Sequence, residues 1–212
     1  MARGKFITFE GGEGAGKSTQ VALLAAALRG AGRKVMETRE PGGSEGAEQI
    51  RELLVTGAPE RWDAMSEALL HFAARREHLL HTVLPAMEAG SWVVSDRFAD
   101  STMAYQGYGY GLGSGPIDML YGLVVGEFRP DLTLILDLPV KQGLRRAEQR
   151  REGGDRYERM DGGFHERLRQ GFLEIARGDP ARCAVIDARG PTDRVHAAAR
   201  TALLQHLEVD LP

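Results

Sequence analysis

Several kinds of residue and pattern are scarce in this chain of 212 residues, and each scarcity excludes something. Cys183 is the only cysteine, so the chain forms no internal disulfide and no cysteine-based metal centre. It stands in Cys183-Ala184-Val185-Ile186-Asp187, a setting that suits a small buried strand residue rather than a reactive thiol. Asparagine is absent, which excludes a protein kinase, whose catalytic loop needs one. The only lysines are Lys5, Lys17, Lys34 and Lys141, and none has an acid two residues later. That argues against a regulatory GTPase, in which an Asn/Thr-Lys-x-Asp segment reads guanine. Asp187-Ala188-Arg189-Gly190 does have the form of a switch motif, but it falls far too late in the chain. No apolar run is long enough to span a bilayer and no signal-peptide pattern is present. The expectation is a soluble, cytoplasmic protein with no membrane partner. There is no excess of positive charge either: the formal net charge of −3 argues against nucleic acid as the main partner. Aromatics do alternate with glycines from Gly107 to Gly115, as in some RNA-binding segments. No lysine or arginine occurs from Phe98 through Phe128, so the electrostatic anchor is missing and a flexible surface loop near a ligand is expected instead.

The composition is that of an ordinary globular protein, 42% hydrophobic and 27% charged. Residues 1–212 are long enough for one domain with a sizeable core. Strand and helix patterns alternate along its length. Lys5–Phe9, Lys34–Thr38, Trp92–Ser95, Leu132–Leu136 and Cys183–Asp187 read as strands. Helical patterns follow the first strand and cover 44–56, 63–89 (with Pro85 bending or dividing it), 98–106, 116–128, 140–150, 162–177 and 191–207. Near-continuous apolar strands alternating with helices predict an α/β fold, with a five-stranded parallel sheet covered on both faces. Ligands bind such sheets at the carboxyl ends of the strands, and polar residues gather there: Glu10, Arg39, Asp96-Arg97, Asp137 and Asp187.

One motif carries chemistry by itself. Gly11-Gly12-Glu13-Gly14-Ala15-Gly16-Lys17-Ser18 fits Gly-x-x-x-x-Gly-Lys-Ser/Thr and lies between a strand and a helix. A glycine-rich turn there points backbone N–H groups at a polyphosphate, where the helix dipole adds positive potential. Lys17 reaches the β/γ-phosphates and the Ser18 hydroxyl can ligate Mg²⁺. Two further signals are weaker. Ser95-Asp96-Arg97 ends an apolar strand; the pair is either a plain salt bridge or an acid for a Mg²⁺-bound water beside an arginine for a phosphate. From Lys141 to Arg159 the chain holds seven cations (Lys141, Arg145, Arg146, Arg150, Arg151, Arg156, Arg159) around the poor helix centre Arg151-Glu152-Gly153-Gly154-Asp155. That composition fits a solvated helix surface and equally a flap that closes arginines over a triphosphate.

These pieces, taken in order, resemble the thymidylate kinases. The resemblance runs through nearly the whole chain. It includes Phe9-Glu10-Gly11, Gly14-Ala15-Gly16-Lys17-Ser18-Thr19, Thr38-Arg39-Glu40-Pro41-Gly42-Gly43, Ala73-Ala74-Arg75, Asp96-Arg97-Phe98, Ser101-Thr102 with Ala104-Tyr105-Gln106-Gly107, Arg129-Pro130-Asp131-Leu132-Thr133, and Asp155-Arg156. It implies a P-loop NTPase-type three-layer fold with an arginine-rich lid over about 141–159. The implied reaction is phosphorylation of dTMP to dTDP by Mg-ATP, in a protein that pairs as a homodimer through its helices. Gly11, Gly12, Glu13, Gly14, Ala15, Gly16, Lys17, Ser18 and Thr19 would hold ATP, with Glu13 near the acceptor's sugar and the metal. Arg75 and Arg97 would grip the dTMP phosphate, and Asp96 would sit near Mg²⁺ and Lys17. Arg51, Thr102, Tyr105 and Gln106 would line the thymidine pocket. The P-loop positions Gly12-Glu13-Gly14-Ala15 contain no arginine. The resemblance therefore places the catalytic arginine in the lid, as in the bacterial form, with Arg150 as the best match and Arg151 as its rival. One departure stands out: where the family has a phenylalanine that stacks on thymine, four residues before Arg75, this chain has His71, followed by Phe72. Either ring could occupy the pocket. The alternative enzyme readings are a deoxynucleoside kinase or another nucleoside monophosphate kinase.

Overall fold

Phe6-Ile7-Thr8-Phe9-Glu10 has no exposed residue, as a strand covered on both faces requires. It is β1, the centre of a parallel sheet completed by β2 (Val35–Arg39), β3 (Trp92–Asp96), β4 (Leu132–Asp137) and β5 (Cys183–Asp187) in the order β2-β3-β1-β4-β5. This computed structural model describes residues 3–149 and 156–211. Side chains alternate across the sheet. Ile7 and Phe9 pack with Leu24 and Leu28 of α1 (Lys17–Gly30) and Leu203 of α9 (Thr192–Leu207). Phe6 points the other way, to Leu79, Val83 and Phe98. Full burial of one such phenylalanine stabilises the fold by about 2 kcal/mol. The register sets Arg39 opposite Asp96 and Asp137 opposite Asp187, so the strand ends share one edge of the sheet. Thr8 and Thr133, buried on adjacent strands, satisfy each other through their hydroxyls at 2.9 Å.

The second face carries α4 (Leu84–Glu88), α5 (Ala99–Thr102) and α8 (Gly162–Gly178). On the same side, α3 (Ala64–His78) packs against α2 (Glu45–Val55) and α6 (Ser114–Val124). The remaining helix, α7, covers Val140–Glu148. This is the three-layer arrangement expected. Among the described residues, no helix is long and apolar enough to cross a membrane.

The helix pattern over 63–89 proves to be three pieces. Asp63 caps α3 by accepting from the N–H groups of Met65 and Ser66 at 3.0 and 3.1 Å. A π-helical turn at Leu79–Val83 then leads into α4. Pro85, in the first turn of α4, has no N–H to give the carbonyl of His81, and the wider turn lies just before it. The segment 98–106 likewise divides, into α5 and a π-helical turn at Met103–Gly109. The flexible surface loop expected over 107–115 is only partly present, because its first half is this turn, pressed against α8. A Cβ on Gly109 would lie 2.6 Å from Phe164, and one on Gly171 would lie 2.7 Å from Tyr108. Those two glycines let the helix and the turn meet.

Candidate active site

The loop after β1 wraps into the first residues of α1, whose first turn carries no acid that would compete with an anion. Lys17 is buried and folds back over the loop, its Nζ donating to the carbonyls of Gly11 and Gly12 at 3.1 and 2.9 Å. Burial and the neighbouring Arg97 push its pKa down to about 8, against the opposing pull of Glu13 and Asp96. The Ser18 hydroxyl donates to Asp96 Oδ2 at 2.6 Å, bringing the two expected oxygen ligands together. The loop also sets the position of α7. Gly14 has φ +66, and a Cβ there would lie 2.0 Å from the Gly143 carbonyl, so only glycine admits the contact.

Arg97 leaves the end of β3 with φ 72, a left-handed backbone unusual for a side chain of this size. Three hydrogen bonds hold that turn. The Arg97 N–H donates to Phe9 O at 2.9 Å, Ser95 Oγ donates to Arg97 O at 2.8 Å, and the Phe98 N–H donates to Glu10 Oε1 at 2.7 Å. The guanidinium then spreads over four acceptors: Gly11 O and Ser101 Oγ, both at 3.1 Å, Glu13 Oε1 at 3.0 Å and Tyr105 Oη at 2.8 Å. The Tyr105 hydroxyl also donates to Glu13 in a short contact. Burial alone would raise the Glu13 pKa, but the charges of Arg97 and Lys17 outweigh it and hold it at about 2. Glu10, wholly buried, accepts from Ser101 Oγ at 2.5 Å, and burial together with the Asp100 charge raises its pKa.

A cleft of about 560 Å³ runs from this loop across to α2 and α3. Of the residues singled out from sequence, Glu13, Gly14, Gly16, Lys17, Ser18, Thr19, Arg51, His71, Asp96, Arg97, Tyr105 and Gln106 line it. Arg51 is fixed by a 2.8 Å bond from Nη1 to Pro41 O. His71 faces the cleft with Nε2 3.0 Å from Tyr157 Oη. Enclosure and then the charges of Arg75, Arg97 and Arg51 hold its pKa down at about 3, so the ring is neutral at physiological pH. Phe72 turns away into the core, edge-on to Tyr121 and packed with Ala68 and Ile117. Arg75 and Thr102 are buried beside the cleft rather than in its wall. Arg75 donates from Nε to Glu40 Oε2 at 2.8 Å and from Nη2 to Thr102 Oγ1 at 3.0 Å and Phe98 O at 3.1 Å, while Nη1 is buried with no hydrogen-bond partner among the described residues. Of the expected lid, 141–148 lie in α7 and Arg156–Arg159 form a 3₁₀ turn. Arg150 and Arg151 lie outside the described residues.

Several contributors escape a reading of the sequence. Glu40, inside the Thr-Arg-Glu-Pro-Gly-Gly segment, lines the cleft and joins Arg75 to His78 Nδ1 at 2.9 Å. Arg146 reaches the cleft from α7 and donates to Ala188 O at 3.1 Å. Tyr157 and Glu158 also line the cleft. For Glu40 the motif itself was the available signal. For Arg146 and Glu158 nothing in a charge-rich stretch separated them from solvated neighbours.

A family model described as thymidylate kinase matches residues 9–199. A curated thymidylate kinase of Caulobacter vibrioides is 54% identical over 210 residues, covering 98% of this chain and 99% of that one. One from Rhizorhabdus wittichii is 52% identical, covering 94% and 97%. Among solved structures, thymidylate kinase from Ehrlichia chaffeensis superposes with a TM-score of 0.74 at 38% identity, covering 95% of this chain and 99% of that one.

Proposed function

This chain belongs to the thymidylate kinase family, and we propose that its cleft seats both substrates of the family's reaction, with Arg97 between them. The activity is transfer of a phosphoryl group from ATP to dTMP, giving dTDP. The observation that carries the two-substrate reading is the cleft itself. A triphosphate loop forms one end, and a wall holding Arg51, His71 and Gln106 forms the other.

Phosphoryl transfer needs positioning and charge neutralisation more than covalent chemistry. Gly11 through Thr19 hold ATP, and Lys17 leaves the carbonyls of Gly11 and Gly12 to reach the β- and γ-phosphates. Arg97 offers the dTMP phosphate a planar fork that Glu13 and Tyr105 have already oriented. His71 stacks on the base and Gln106 reads its edge. Arg75 and Thr102 support that pocket from beneath, with Arg75 neutralised by Glu40. Ser18 and Asp96 would hold Mg²⁺; an all-oxygen pair suits a hard cation that keeps waters and phosphate oxygens as its other ligands. Bound there, the ion supplies neutralisation of the phosphate charge. Arg150, in a lid over about 141–159, adds the charge that the P-loop lacks.

Residues 1–212 act as one catalytic domain, placed in the cytoplasm, where ATP and dTMP are found. The protein pairs as a homodimer: Met119 and Leu123 on α6, 71% and 84% exposed, and Leu69 on α3 form an apolar stripe suited to a second copy. An ADP-release assay across nucleoside monophosphates tests the acceptor assignment. The expected result is a kcat/KM for dTMP at least tenfold above that for AMP, GMP, UMP or CMP. Comparable turnover of any of these contradicts it, and activity on thymidine in place of dTMP would favour a deoxynucleoside kinase.

A further inference from the structure

Glu67 has no solvent exposure and lies in the first turn of α3, away from the P-loop. A buried carboxylate is costly unless it is paired and its oxygens are satisfied. Both oxygens are taken. Arg156 Nη2 donates to Oε2 in a short contact, and Gln106 Nε2 donates to Oε1 at 2.6 Å. Arg156 is itself fully buried, with Nε on Leu54 O at 3.0 Å and Nη1 on Pro59 O at 2.7 Å. The ion pair is therefore fixed on every side, and none of the catalytic steps above makes use of it.

Its consequence falls on Gln106. This side chain is fully buried and lines the cleft, yet among the described residues its Oε1 has no hydrogen-bond partner. A carboxylate only accepts hydrogen bonds, so the amide must turn its NH₂ toward Glu67 and its oxygen away. The two ends of an amide are close to isosteric; the charge on Glu67 breaks that degeneracy. The cleft wall then presents a buried acceptor with nothing to accept.

We propose that Glu67 is a positioning residue for base selection: it locks the Gln106 amide with its oxygen toward the acceptor base. The wall thereby favours a pyrimidine carrying N–H at ring position 3 over one with a lone pair there. Thymine has the N–H, and cytosine has the lone pair, which would face the amide oxygen acceptor against acceptor. This inference rests on the reading that the base of dTMP lies against Gln106.

The discriminating pair of substrates is dTMP and 5-methyl-dCMP, which share size, sugar, phosphate and methyl group and differ only at ring positions 3 and 4. The wild-type protein is expected to prefer dTMP by at least a hundredfold in kcat/KM. In Glu67→Gln the new amide can give or accept, so Gln106 can rotate. The preference is expected to fall by about tenfold or more, through KM for the acceptor, with KM for ATP unchanged. An equal loss for both substrates, with the preference intact, overturns the proposal and leaves Glu67 a structural role alone. Because Glu67→Gln strands the buried Arg156 charge, the double variant Glu67→Gln with Arg156→Gln is measured beside it and is expected to show the same relaxed preference. Gln106→Leu separates the two levels of the argument. If it leaves dTMP kinetics and the preference unchanged, the base does not lie there and the underlying reading fails. If it alters the preference while both Glu67 variants keep it, only the positioning role fails.

Discussion

Replacing Glu13 by glutamine keeps the side chain's shape and removes its charge, which tests whether the Arg97 fork is held by an ion pair. In the folded protein the Glu13 side chain is 12% exposed, with Arg97 Nη2 at 3.0 Å and the Tyr105 hydroxyl in short contact. Against the cost of burial, Arg97 and Lys17 hold its pKa at about 2, compared with an ordinary 4.5. That gap corresponds to about 3 kcal/mol of folding stability at neutral pH. The folded state binds the proton less tightly than the unfolded chain, so the stabilisation is complete above pH 4.5 and is lost as the pH falls toward 2. Glu13→Gln is therefore expected to be less stable by up to about 3 kcal/mol at pH 7 and by only about 1 kcal/mol at pH 3. The glutamine carbonyl can still accept from Arg97, which makes these figures upper bounds. For a chain of this length, 3 kcal/mol lowers Tm by roughly 6–12 °C. Urea denaturation followed by circular dichroism at pH 7, 5 and 3 reads the difference directly. A variant as stable as the parent at pH 7, or a deficit that does not shrink in acid, refutes the ion-pair account.

Four other outcomes are expected. His71→Phe is expected to tighten dTMP binding by about threefold to tenfold, since a phenyl ring adds stacking area and loses no charge; calorimetric titration showing equal or weaker binding would mean the ring does not lie against the base. With the His71 pKa held at about 3, wild-type dTMP affinity is also expected to show no step near pH 6.5 assignable to this ring. Arg150→Ala is expected to lower kcat by at least tenfold with a modest change in KM for dTMP, the signature of a group acting in the transition state; an unchanged kcat in stopped-time assays moves the role to Arg151 or elsewhere. Leu123→Glu places a charge on the exposed α6 stripe and is expected to shift the protein from dimer to monomer by light scattering, whereas a monomeric parent would remove the stripe's proposed role.

The sheet was legible because its strands are apolar runs with a period that the core uses directly. Phe6 packs on one face of the sheet and Ile7 and Phe9 on the other, as the alternation of an extended strand requires. The P-loop was legible because its glycines and Lys17 answer to a chemistry that admits few other residues. Helix phase was harder. One residue is about 100° of rotation, and that rotation separates His71 in the cleft from Phe72 in the core, although either ring fits an amphipathic pattern. Arg75 shares the spacing of a cleft residue yet lies beneath the wall, because Glu40, Thr102 and the Phe98 carbonyl satisfy it there. Glu67 was illegible for the same reason. An acid near a helix N-terminus ordinarily faces water, and only the distant Arg156 and Gln106 make its burial tolerable. The π-helical turns at Leu79–Val83 and Met103–Gly109 left no mark of their own, since they use residues that an α-helix accepts equally well.

The central claim is that a single cleft seats the donor triphosphate and the acceptor monophosphate with Arg97 between them. A crystal structure with dTMP and a non-hydrolysable ATP analogue tests it directly. The expected result is the triphosphate along Gly11 to Ser18, the dTMP phosphate within hydrogen-bond distance of Arg97, and the base between His71 and Gln106. A monophosphate bound away from Arg97, or a base outside the wall formed by Arg51, His71 and Gln106, would contradict it.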